Sequence, residues 1–224
     1  MTNTPAREGS EQDEARAYWN NVAQEKNFTT PLPLDELRRR LAPDARILDY
    51  GCGYGRAMRQ LADAGFTNLL GVDFSEGMLA RGRSLWPDLR FAACGPEGVP
   101  LPDAGTDAVL LLAVLTCIRS DADQDALVAE LRRVLRPGGL LLVNDFLLAP
   151  DARNQERYAR FEPRFGTFGV FEIPGGGVMR HYAPERLRAL LGGFEILSWD
   201  EQTFTTMNGN SARGVTVLAQ RPQG

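Results

Sequence analysis

Histidine is almost missing from this chain. His181 is the sole one, and the three cysteines, Cys52, Cys94 and Cys117, are odd in number and widely spaced. Without close Cys/His pairing, neither a metal site nor a disulfide framework is expected, and the thiols suit a reducing cytosol. Long apolar stretches are lacking too. The longest, Ala108 to Ile118, is far below the roughly 20 residues that cross a bilayer, and nothing at the N-terminus joins a basic stretch to an apolar one. We expect a soluble, unprocessed, cytoplasmic protein with no membrane partner. Positive charge is not in excess: 25 Lys+Arg against 29 Asp+Glu leave a net charge of -4. With no basic stripe interleaved with aromatics, nucleic acid is excluded as an expected partner.

The 224 residues suffice for one domain with a well-buried core and are too few for two ordinary ones. Residues 1–12 are polar and aperiodic, which predicts a disordered tail, and residues 13–224 are read as the single domain. A helical pattern over Glu14 to Lys26 is followed by Pro31 and Pro33, which force an extended passage before a short helix near Leu34. Short apolar runs then recur at Arg46 to Tyr50, Leu69 to Asp73, Leu89 to Ala93, Asp107 to Val114 and Leu140 to Phe146, mostly separated by helical stretches. That alternation is the mark of an α/β, doubly wound, parallel sheet covered on both faces. The helix Ser120 to Arg136 has an apolar stripe, a capping serine, acids in its first turn, arginines in its last and Gly138 to close it. Residues 147 to 182 break the pattern as a lid insertion, with Pro174 to Gly177 turning a hairpin between Phe168 to Ile173 and Val178 to Tyr182. A helix from Pro184 and strands around Phe194 to Phe204 and Gly214 to Ala219 finish the chain.

The decisive segment is Asp49-Tyr50-Gly51-Cys52-Gly53-Tyr54-Gly55-Arg56. A strand enters three glycines and then a helix, so that a ligand can lie against bare main chain at a helix N-terminus. A dinucleotide fingerprint, G-x-G-x-x-G, would need glycine where Arg56 stands. Asp49 would also oppose a pyrophosphate, whereas S-adenosylmethionine (SAM) carries an ammonium and a sulfonium and no phosphate. Asp73 ends the next strand, where a carboxylate can receive both ribose hydroxyls.

The Asp49 to Gly55 loop, Asp73-Phe74-Ser75-x-x-Met78, Val99-Pro100-x-Pro102-x-x-x-x-Asp107 and Leu135-Arg136-Pro137-Gly138-Gly139 resemble the successive motifs of class I SAM-dependent methyltransferases. The resemblance covers roughly residues 45 to 146. It implies a Rossmann-like, seven-stranded, mostly parallel sheet of order 3-2-1-4-5-7-6 with the last strand antiparallel. It also implies SAM as cofactor, with Gly51, Gly53 and Asp73 touching it and Phe74 and Met78 near the adenine. Asp49, Cys52 and Gly55 complete the loop. Where many relatives place an acid after the third strand, this chain has Cys94-Gly95-Pro96, so main chain at Gly95 and Pro96, or Glu97, is expected to take the adenine amino group. Val114 to Cys117 would line the methyl side. The Asn/Asp-Pro-Pro-aromatic pattern of enzymes that methylate amino groups of nucleic acids and proteins is not there, so a small-molecule substrate is expected.

Methyl transfer needs alignment, dryness and sometimes a base. His181, as the one side chain that titrates near neutrality, is either a base or substrate anchor, or a hydrogen-bonded strand residue. Asn144 and Asp145 end the fifth strand at the ligand-binding edge and join His181 as candidate catalytic residues. Tyr18, Trp19, Lys26, Phe28 and Thr29 form an N-terminal helical cap of the kind that folds over the cofactor in relatives, with Tyr18 the candidate for contact with the sulfonium. Arg153, Arg157, Arg160 and Arg164 read either as an attraction for an acidic substrate or as a solvated helix face. Three functions follow: methyl transfer to an oxygen or nitrogen of a small molecule; attack of SAM's own amine on its γ-carbon, giving a four-membered cyclic amino acid and methylthioadenosine; and SAM binding without catalysis.

Overall fold

A computed structural model describes residues 11–95 and 98–223. Residues 1–10 of the expected tail lie outside the described residues, as do Pro96 and Glu97. Glu11 and Gln12 are not tail: helix α1 spans Glu11–Asn21, three residues earlier at its start than the apolar pattern marks, because its first turn is acidic and suits the positive end of the helix dipole.

After α2 (Leu34–Arg40) the chain alternates as β1 (Arg46–Tyr50), α3 (Arg56–Asp63), β2 (Asn68–Asp73), α4 (Glu76–Leu85), β3 (Arg90–Ala93), β4 (Thr106–Leu112), α5 (Asp121–Val134) and β5 (Leu135–Phe146). It continues through α6 (Ala152–Phe165), β6 (Val170–Glu172), β7 (Val178–Arg180), α7 (Pro184–Leu190), β8 (Glu195–Thr205) and β9 (Ser211–Gln220). Seven strands form one sheet in the order β3-β2-β1-β4-β5-β9-β8, and β6 and β7 pair separately. The pairs from β3 to β5 are parallel, and β9 runs antiparallel to both its neighbours.

Successive residues of the central strands serve opposite faces. Leu48, Val109, Leu111, Leu141 and Val143 pack with Leu127, Leu131 and Leu187 of α5 and α7. Their neighbours Ile47, Ala108, Leu110, Leu140 and Leu142 pack with Leu37, Met58, Leu61 and Leu79 on the other side. Strands buried on both faces explain the unbroken apolar runs in the sequence.

Ser120 caps α5 as expected, its hydroxyl accepting from Asp123 N–H. Gly138 does not close that helix. Leu135 is already extended and pairs with Thr106 of β4, and Arg136 precedes a proline, which disfavours helix. Gly138 adopts φ 71° in the turn where its N–H donates to Arg221 O.

Candidate functional site

All parallel strands present their carboxyl ends to one edge, and a cavity of about 560 Å³ opens there, lined by Asp49, Gly51, Cys52, Asp73, Phe74 and Met78 among others. A second chamber of about 280 Å³ is lined by Tyr18, Tyr50, Cys94 and Gly95. Gly51, Phe74 and Val114 belong to both walls.

The glycine loop is sterically committed. Gly51 has φ 69° and Gly53 φ 56°, the left-handed region that favours glycine. A Cβ on Gly51 would stand 2.4 Å from Val114 Cγ2, and one on Gly53 2.2 Å from Phe28 Cε2. Gly55, also left-handed, is the N-cap of α3. Val114 reaches Gly51 because Ala113 before it is itself left-handed, φ 56°, with its N–H held by Asn144 O at 2.6 Å.

Two carboxylates flank this loop. Asp73 accepts from Gly53 N–H and from Ser75 N–H, each at 2.8 Å. Burial raises its pKa and these N–H groups pull it back. Asp49 is 3% exposed, and its Oδ2 has no hydrogen-bond partner among the described residues. Burial pushes it up to about 7, opposed by the Arg56 guanidinium and reinforced by Asp73. A buried, unpartnered carboxylate oxygen is costly unless a cation or donor meets it. The ammonium and sulfonium of SAM fit this demand, and a pyrophosphate does not.

Cover comes from two directions. Trp19, Phe28, Thr29 and Thr30 line the larger chamber, and so do Thr206, Met207, Asn208 and Ala212 from the β8–β9 turn and β9. The two segments are clasped together: Lys26 Nζ donates to Asn208 Oδ1 at 2.6 Å and Thr29 Oγ1 to Thr205 O at 2.5 Å. Phe28 stacks on Tyr54 at 5.2 Å. Tyr18 lies in the smaller chamber with its Oη buried and unpartnered among the described residues. Its ring packs against Gly177 of the β6–β7 turn, where a Cβ would come within 2.6 Å.

The candidate catalytic residues separate. His181 lines the larger chamber. Asn144 and Asp145 line neither chamber, which corrects the expectation from their place at the strand end. Asn144 donates to Thr216 Oγ1 at 2.8 Å, binding β5 to β9. Asp145 accepts from Thr116 N–H at 3.1 Å and Phe146 N–H at 2.8 Å, so it holds the 3-10 turn Leu115–Cys117 in place. Burial pushes Asp145 up to about 7, against those N–H groups.

His181 is 6% exposed, stacked on Phe146 at 5.5 Å and edge-on to Phe171 at 4.9 Å. Burial, with the Arg157 charge second, pushes its pKa down to about 3. The imidazole is therefore neutral at physiological pH. Its Nδ1 lies 2.7 Å from Tyr158 Oη. Tyr158, Arg56, Ala113 and the β8–β9 turn escaped the sequence reading; only Arg56, beside the glycines, had a local signal.

A β-strand running into a glycine loop, with an acid before it and another on the next strand, defines a binding protein for a cationic adenosine derivative on an open parallel sheet. The methyltransferase domain family matches residues 47–139. A demethylmenaquinone methyltransferase of Thermus thermophilus is 30% identical over 67% of this chain and 74% of that protein. One of Beutenbergia cavernae is 35% identical over 63% of this chain and 58% of that protein, so the chain spans less than two thirds of that relative's length. A SAM-dependent methyltransferase structure from Methanosarcina mazei superposes with a TM-score of 0.81 at 23% identity, covering 87% of this chain and 100% of that one. The chain belongs to the class I SAM-dependent methyltransferase family, and SAM is its cofactor. No helix among the described residues is long and apolar enough to cross a membrane.

Proposed function

We propose that this chain transfers the methyl group of SAM to an oxygen or nitrogen of a small molecule. The observation that supports this most is the orphan Oδ2 of Asp49, set beside the glycine loop in a cavity that extends past the donor's expected place to His181, Phe171 and the α6 arginines. The relatives named for demethylmenaquinone support a small-molecule acceptor.

In this reading Asp49 meets the ammonium of SAM, Gly51 and Gly53 touch the donor through their main chain while their missing side chains leave room for Val114 and Phe28, and Asp73 receives the ribose hydroxyls. Cys52 and Gly55 shape the loop, Phe74, Met78 and Gly95 border the adenine, Val114 seats the donor against Gly51, and Tyr18 closes the smaller chamber. SAM supplies a methyl carbon made electrophilic by its sulfonium: the acceptor lone pair bonds to it as the carbon–sulfur pair returns to sulfur, and the acceptor's proton passes to solvent. The clasp of residues 26–29 on the β8–β9 turn excludes water from that line of attack.

Incubation with SAM and a fractionated metabolite extract tests this. S-adenosylhomocysteine should appear together with an acceptor heavier by one CH2. Tight SAM binding without such a product in any fraction would leave only a binding role. Methylthioadenosine formed from SAM alone would move the reaction to the intramolecular displacement.

A further inference from the structure

We propose that Arg157, Arg153 and His181 form a carboxylate-binding subsite in the wall of the larger chamber, a reading that rests on that chamber housing the adenosyl donor. Helix α6 carries arginines at 153, 157, 160 and 164, and the structure divides them. Arg164 pairs with Glu172, and Arg160 is exposed with its guanidinium 5.2 Å over Phe161. Arg153, exposed as well, and the half-buried Arg157 line the chamber. No carboxylate of the described residues lies within ion-pairing distance of either: Asp151, whose charge is felt by Arg153, Arg157 and His181, accepts from Asn154, and Glu172 in the chamber wall is taken by Arg164.

Arg157 is built in rather than solvated. Its guanidinium lies 3.4 Å over the Phe171 ring and donates to Asn154 Oδ1, and its Nε is buried without a partner among the described residues. A stacked guanidinium with unspent donors is matched to a planar oxyanion, which it can grip through parallel N–H bonds. His181 adds a neutral donor. Tyr158 Oη accepts from Ala149 N–H at 3.3 Å and lies 2.7 Å from His181 Nδ1. The hydroxyl proton has no other acceptor among the described residues, so it goes to His181 Nδ1. The imidazole proton therefore sits on Nε2, for which the described residues provide no partner. The chamber thus has carboxylates at Asp49 and Asp73 for the cationic donor, and unspent donors on α6 and after β7 for an anion.

A carboxylate reaches this chamber from two sources: the methionine arm of the donor itself, or the acceptor. Calorimetry on the full chain separates them. The probes are S-adenosylhomocysteine; methylthioadenosine, which lacks the amino-acid arm; and, in the presence of S-adenosylhomocysteine, a panel of aromatic and aliphatic carboxylic acids beside their amides. Loss of a charge-assisted hydrogen bond in Arg157→Gln should weaken the matching probe by about 10- to 100-fold. If the donor's arm is bound, S-adenosylhomocysteine weakens and methylthioadenosine does not. If the acceptor is bound, S-adenosylhomocysteine is unchanged and the preference for acids over amides disappears. Arg157→Lys should restore part of the loss, and Arg160→Gln should change nothing. Unchanged affinity for both probe sets in folded Arg157→Gln, or in Arg153→Gln should the first variant not fold, overturns the subsite, as does a wild-type chain whose only binding is indifferent to the carboxylate. A wild-type chain that binds neither S-adenosylhomocysteine nor methylthioadenosine overturns the underlying function as well.

Discussion

Tyr158 Oη lies 2.7 Å from His181 Nδ1, and with Ala149 N–H donating to the phenolic oxygen and no other acceptor for the hydroxyl proton among the described residues, the lone histidine faces the chamber as a hydrogen-bond donor rather than a proton acceptor. Tyr158 is fully buried, so Tyr158→Phe strands both the imidazole nitrogen and Ala149 N–H. We expect a loss of about 1–3 kcal/mol in stability by denaturant unfolding.

The pH dependence follows from the same neutrality. A histidine held near pKa 3 does not titrate between pH 5 and 8, so no inflection near 6.5 should come from it. Asp49, pushed up to about 7, does titrate there. SAM affinity should rise with pH through about 7 as the carboxylate forms, and this limb should persist in His181→Gln and vanish in Asp49→Asn. Calorimetric titrations across that range read both.

Asp49 also sets a stability trend in the ligand-free chain. Its folded pKa lies above the unfolded value near 3.8, so the folded state binds the extra proton between those values. Its contribution is full below about 4 and is lost as pH rises through about 7. Asp49→Asn should therefore stabilise the ligand-free protein above pH 7, by on the order of 1–3 kcal/mol, while weakening SAM binding. Thermal unfolding at pH 5 and pH 8 is the check: an equal effect at both would contradict the assignment.

Gly53→Ala puts a methyl group 2.2 Å from the Phe28 ring at a left-handed residue. The expected cost is about 1–3 kcal/mol, with SAM affinity falling at least in step. Fluorescence of Trp19, 5.9 Å from Phe28 between ring centres, should report the displaced cap.

Ala113→Gly relaxes a left-handed alanine, φ 56°, at the end of β4. Glycine removes strain of about 1 kcal/mol and loosens the unfolded chain by somewhat less, so stability should change little. SAM affinity should drop, because Val114 is no longer pressed onto Gly51.

Much of this architecture was legible in the sequence. The parallel strands were readable because residues such as Ile47 and Leu48 serve cores on opposite faces and leave unbroken apolar runs. The glycine loop and Asp73 were readable because steric and charge demands act there over a few residues. Asn144 and Asp145 line neither chamber for a physical reason: position at a strand end places a backbone at the ligand edge, whereas Thr216 on β9 and Thr116 in the 3-10 turn, distant in sequence, take the Asn144 amide nitrogen and the Asp145 carboxylate. The division of the α6 arginines was equally hidden, since it depends on Glu172 from β6 taking Arg164. Tyr158 gave no signal at all, because its partner His181 is 23 positions away.

The bond between Lys26 and Asn208 spans 182 positions, so the roof of the chamber is assembled from two segments far apart in the sequence. Shortening the chain at its front and nicking the β8–β9 turn are therefore the same injury seen from two sides. Either leaves the sheet standing and the door ajar.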